Sequence, residues 1–202
     1  MRSRALLLPL ALLIGCSADP GTRPNDMSAG THEATARKLD ADAAATNDSS
    51  LAKKDRKVAS EHREASRELL DAEAKACAGV AATDQDACPF RPGGDVREVN
   101  ELRAEIGQDR GVQRLVGAGL VLPATPTRTK ESLERLVSCN LAHNAVRGGP
   151  APEAADCPTA VHGTTVEVHK TDKGLQVNLH GDDADHAAEL VRRSRALLTA
   201  PR

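Results

Sequence analysis

The rhythm of apolar and polar positions changes several times along this chain, and each rhythm predicts a different element. Ala5 to Ile14 is apolar apart from Pro9 and follows Arg2 and Arg4. Ser17 to about Ser50 then carries almost no large apolar side chain beyond Met27 and Leu39. Such a stretch has too little surface to bury to order itself, so residues 16–50 are expected to be a tether. As a flexible coil it would reach roughly 30–35 Å. Alanine is plentiful enough for a short helix within Glu33–Ala45, but nothing there specifies a packing face. From Leu51 to about Val80, Leu51, Val58, Ala65, Leu69, Ala72 and Ala76 form one thin stripe among Lys, Arg, Glu and Asp. That pattern predicts a charged amphipathic helix over 51–80. It either lies solvated along its own domain or, given its heptad-like steps, pairs with a partner or a second copy. His62, among the charges, reads as exposed.

Residues 81–95 hold Cys88-Pro89, Pro92, Gly93 and Gly94, which is turn chemistry and marks a boundary. Beyond it, 96–116 is open between strand and helix: Val96, Val99, Leu102 and Ile106 have helical spacing, while the glycines and short runs suit strands. Leu120-Val121-Leu122 between Gly119 and Pro123 reads as a short buried strand. A helix follows from about Lys130 to Val146, capped by the preceding threonines and facing inward through Leu133, Leu136, Val137 and Leu141. Thr164–Lys170 and Leu175–His180 alternate around Asp172-Lys173, predicting a hairpin in which Val166 faces Leu179 and Val168 faces Val177. Asp182 or Asp183 then caps a last helix with Ala187, Leu190, Val191, Ser194 and Leu197 inward. Gly119-Leu120-Val121-Leu122 plus a helix is echoed by Gly174-Leu175-Gln176-Val177 plus a helix, either as a ββα repeat or as two similar amphipathic helices. The expected fold class is α+β: a long charged helix, then over 96–202 a two-layer body of short antiparallel strands with helices on one face.

Composition narrows function mainly by exclusion. A chain of 202 residues has room for one modest domain plus tails. With no Trp or Tyr and Phe90 as the lone aromatic, stacking surfaces for bases, sugars or quaternary amines are missing. Against 27 Lys and Arg stand 29 Asp and Glu, and a net charge of −2 offers no basic face for nucleic acid. No nucleophile elbow, zinc-protease helix, phosphate loop or dinucleotide fingerprint is present, so the expectation is a non-enzyme without a cofactor.

The amino terminus carries the most specific motif. Arg2 and Arg4 followed by the apolar run have the layout of an export signal over 1–15, too short to span a bilayer. Leu13-Ile14-Gly15-Cys16 closes it, and this resembles the lipobox of bacterial lipoproteins. The resemblance implies cleavage before Cys16, a diacylglyceryl thioether on its sulfur, and anchoring to the membrane through Cys16. Ser17 is similar to the outer-membrane sorting preference of that family, which places the chain in the cell envelope facing the periplasm. The body resembles small Gram-negative envelope lipoproteins of no assigned activity.

Cysteine and histidine supply the remaining chemistry. Apart from Cys16 the chain has Cys77, Cys88, Cys139 and Cys157, an even number for an oxidising compartment. Three connectivities are open. The expected one is Cys77–Cys88 with Cys139–Cys157, since each pair joins a helix to the Pro-containing loop after it. Loops that short would contribute roughly 3 kcal/mol each. The alternative is a soft-metal site from Cys139, His143, Cys157 and His162, a Cys-x3-His-x13-Cys-x4-His set that zinc accepts. His143 equally suits a half-buried place beside its disulfide. The sequence thus points to a lipid-anchored periplasmic binding or structural protein, partnered by another envelope protein or by itself through 51–80. A metal-binding lipoprotein is the first alternative and a hydrolase with an unrecognised site the second.

Overall fold

The computed structural model describes residues 27–90, 96–105 and 111–199. The signal segment, the Leu13-Ile14-Gly15-Cys16 motif, the glycines at 93 and 94 and Ile106 lie outside the described residues. Eleven elements or turns follow in order: α1 Ala29–Ala45, α2 Ser49–Ala76, the single turn α3 Ala82–Gln85, β1 Glu98–Glu105, β2 Gln113–Leu122 and α4 Lys130–Arg147. Two 3-10 turns, Pro152–Ala154 and Pro158–Ala160, then lead to β3 Thr165–Thr171, β4 Gly174–His180 and α5 Ala184–Thr199. None of the described helices is long and apolar enough to cross a membrane.

Alternating side chains specify the β3–β4 hairpin, and it forms in the expected register, with Val166 opposite Leu179 and Val168 opposite Val177. All four strands make one antiparallel sheet in the order β1-β2-β4-β3. The open segment 96–116 resolves into strand. Val99 pairs with Leu120, and a bulge follows between Leu102 and Arg103. Val99 and Leu102, an odd number of positions apart, therefore point to opposite faces. Their helical spacing is incidental: Leu102 closes over Gly119 on the far side of the sheet.

α4 and α5 cover one face. Thr129 caps α4 by accepting from Ser132 N–H, and Asp183 accepts from His186 N–H at the start of α5. α5 lies over β2 and β1, whereas α4 lies over β3. Each hairpin is thus followed by a helix that shelters strands of the other, with β2 and β4 adjacent at the centre. Between sheet and helices lie Leu120, Leu122, Leu175, Val177, Leu179, Val137, Leu190 and Phe90. The opposite sheet face is polar, carrying Asn100, Gln176 and Asn178.

The expected tether is the main departure from the sequence reading. Residues 29–45 form α1, which folds back antiparallel on α2 through a three-residue connection. Ala29, Ala36 and Ala43 are buried against Ala52, Ala59 and Ser66, each set stepping by seven. Small residues at every seventh position let two helices approach closely without large side chains, so a segment poor in Leu and Val still finds a packing face. Ser28 and Asp48 cap the two helices, and Ser66 Oγ donates to Ala29 O at 3.0 Å. The buried stripe of α2 lies one residue later than the leucine-led pattern suggests: Leu51 is 45 % exposed while Ala52 is buried. α2 ends at Ala76, short of Val80. His62 is not free in solvent but faces His32 across the seam, Nδ1 to Nδ1 at 2.8 Å.

Candidate functional site: the junction of α2, α3 and α4

α2 runs antiparallel to α4, and this crossing decides where the cysteines go. Cys77, at the end of α2, reaches Cys139 in the middle of α4, with Cα atoms 4.5 Å apart. Cys88, after α3, reaches Cys157, before the second 3-10 turn, at 5.6 Å. All four cysteines are therefore disulfide-bonded, but the expected partners are exchanged. The local pairing fails because α3 and the stretch after it lead Cys88 away from Cys77 and into the core beside Phe90. Sequence separations of 62 and 69 raise the loop-closure contribution to roughly 4 kcal/mol per bridge.

The four candidate metal ligands are not brought together. Cys139 and Cys157 are spent in different disulfides. His143 stands one turn beyond Cys139 with a carboxylate at each ring nitrogen: Glu73 Oε1 is 2.5 Å from Nδ1 and Asp86 Oδ1 is 3.1 Å from Nε2. Arg147 donates to the same Asp86 oxygen. His162 sits exposed on the far rim of a cleft between the hairpin and the body. Among the described residues, the group of three potential ligands close enough to share one ion is Asp182, Asp183 and His186. It is a helix start: Asp182 Oδ1 lies 2.5 Å from His186 Nδ1 and Asp183 caps α5. His169 pairs with neighbouring Glu167 at 3.2 Å and lies opposite Gln176, while His180 lies opposite Thr165, so those two histidines are separated as the hairpin register requires.

A buried amide organises the junction from beneath. Asn140 is 1 % exposed, and its Nδ2 donates to Gln85 O at 2.9 Å and to Ala87 O at 3.1 Å. Its Oδ1 accepts from Thr159 Oγ1 at 2.5 Å and from Asn144 Nδ2 at 3.3 Å. One side chain thus satisfies the loop before Cys88 and the turn after Cys157 and fixes both to α4. Burying so much polarity is tolerable because every atom finds a partner. Nothing in the apolar periodicity marked Asn140 as an anchor; the only available signal was its place beside Cys139 on the inward side of α4.

Above the bridge lies a cleft of about 240 Å³, with Met27 and Leu69 from the hairpin facing Leu141, Asn144 and His162 from the body. Its walls mix polar and apolar surface in nearly equal parts. Both ring nitrogens of His143 face carboxylates rather than a hydroxyl or thiol, so the arrangement braces helices and activates no nucleophile. No family model matches the chain, and neither curated proteins nor solved structures contain a match.

Proposed function

We propose that this chain is a lipid-anchored envelope protein whose disulfide-stapled α+β body acts outside the cytosol as a binding or structural module rather than as a catalyst. The observation that carries the reading is the use of sulfur. Each described cysteine is locked in a long-range bridge, which suits an oxidising compartment and is rare where glutathione and thioredoxin keep thiols reduced. The remaining cysteine, Cys16, ends a lipobox-like Leu13-Ile14-Gly15-Cys16. Two or three acyl chains on it would make attachment stable where a single chain anchors only reversibly. Ser17 favours the outer membrane, facing the periplasm. In this reading the body recognises another envelope component by shape.

Metabolic labelling with palmitate in a Gram-negative host, followed by membrane fractionation, tests the anchor. The native chain is expected to incorporate label and sediment with membranes, and Cys16→Ser to lose both properties. Label that persists in Cys16→Ser, or a native chain that stays soluble and unlabelled, would overturn the reading.

A further inference from the structure

The charges of α2 are sorted along its length. Lys53, Lys54, Arg56 and Lys57, all exposed, stand against Asp55 in its early turns, whereas from Glu61 to Glu73 five acids stand against Arg63 and Arg67. A helix dipole favours the reverse order, acids at the start and bases at the end. Helix stability therefore does not explain the basic end. Lys57 reaches Glu61 at 3.6 Å with 79 % of its side chain exposed, a contact that fixes little. The body meets the hairpin at Met27, Ser28, Leu69, Glu73 and Cys77. From there α1 carries the chain through 17 residues, a rise of about 25 Å, to the turn at the opposite end. The cations stand just beyond that turn, and Leu51 beside them is 45 % exposed. The acids at this tip are largely engaged. Asp48 accepts from the N–H groups of Ser50 and Leu51, Asp40 accepts from Arg63, and exposed Asp42 is offset by exposed Lys38.

We infer that the tip of the hairpin is a membrane foot: Lys53, Lys54, Arg56 and Lys57 meet an anionic phospholipid surface while Leu51 enters the headgroup boundary. The acidic second half of α2 is repelled by the same surface, so the hairpin stands on its tip rather than lying flat. The inference rests on the lipid-anchored reading for its setting, since that reading supplies the bilayer. The segment between Cys16 and Met27 is long enough, when drawn out, to span the rise of α1. Anchor and tip can therefore touch one bilayer together. Each cation near an anionic surface raises partitioning about fivefold. An exposed leucine among cations is the combination by which interfacial helices bind. The attraction fades within a Debye length, so the cations at the tip dominate it. Tethering through Cys16 keeps the tip at high local concentration over the lipid, where even a weak attraction is effective.

The test is vesicle flotation of the oxidised chain beginning at Ser17, which keeps every described residue and both bridges but carries no acyl group. It should float with vesicles of equal parts phosphatidylcholine and phosphatidylglycerol in about 0.1 M salt, and be released at about 1 M, where the Debye length is about 3 Å. Lys53→Gln/Lys54→Gln/Lys57→Gln should lower the partition coefficient about a hundredfold. Lys170→Gln/Lys173→Gln, on the β3–β4 hairpin, should leave it unchanged. Hydroxyl-radical footprinting on the vesicles should protect Leu51 and leave Leu70, 46 % exposed on the acidic half, labelled as in solution. The foot is refuted by an absence of flotation, by flotation that survives the triple substitution or the high salt, by equal binding to pure phosphatidylcholine, or by equal protection of Leu70. Such a failure leaves palmitate labelling at Cys16 as it was. A chain that floats here yet takes no palmitate refutes the anchor and keeps the foot.

Discussion

Ser194 sits on the core face of α5, fully buried, with a hydroxyl that finds no hydrogen-bond partner. A stranded hydroxyl loses its water without compensation, so Ser194→Ala should raise stability by about 1 kcal/mol, read as a higher urea midpoint. One turn earlier, Glu189 shows the opposite situation. The Arg192 guanidinium hydrogen-bonded to it holds its carboxyl at about 2, below the ordinary 4.5, with Arg193 adding to the effect. Arg193 also donates to Cys157 O at 3.2 Å, so this charge pair ties α5 to the loop that carries a bridge. A depressed carboxyl stabilises the fold above its unfolded value and loses that contribution as pH falls through its folded one. The stability gap between the native chain and Glu189→Gln should therefore be full at neutral pH, shrink below about 4.5 and close near pH 2. A gap unchanged across that window would refute the assignment.

Among the elements, the α1–α2 hairpin depends on the smallness of its seam. Ala36→Leu forces extra volume between closely spaced backbones and should destabilise by about 1–3 kcal/mol. The loss should appear as faster amide exchange in α1 and α2, with β2 and β4 unaffected. This seam is also where the sequence was hardest to read. Hydropathy weighs Leu51 and Val58 above Ala52 and Ala59, so it placed the stripe one residue early and gave α1 no face. Elements whose specificity lies in size alternation or capping were legible: β3 and β4 in register, α4 behind Thr129, and α5 with all five inward residues. β1 was not, because Val99 and Leu102 lie on opposite faces at a spacing that imitates a helix, and the cysteine partners were not, because pairing depends on an antiparallel helix crossing that no local pattern encodes. For the same reason His143 was recognisable as a neighbour of the Cys139 bridge, but its carboxylate partners were not, since Glu73 and Asp86 arrive from distant positions.

At the scale of the whole molecule, the two bridges have different duties. Cys88–Cys157 brings the loop bearing Phe90 onto the sheet–helix core. Removing it with Cys88→Ser/Cys157→Ser should cost about 4 kcal/mol and lower the global unfolding midpoint of sheet and helices together, as followed by circular dichroism in urea. The hairpin has a geometric consequence as well. Because α1 doubles back, Met27 ends beside Leu141 and Asn144, and Ser28 presses so closely on Gly148 that an added Cβ there would lie 2.8 Å from the serine's. From Cys16 to Met27 is eleven residues, a contour that cannot exceed about 36–40 Å. Under the anchoring proposed above, the body would stand no farther than that from the lipid headgroups, and anything it meets must come down to that depth.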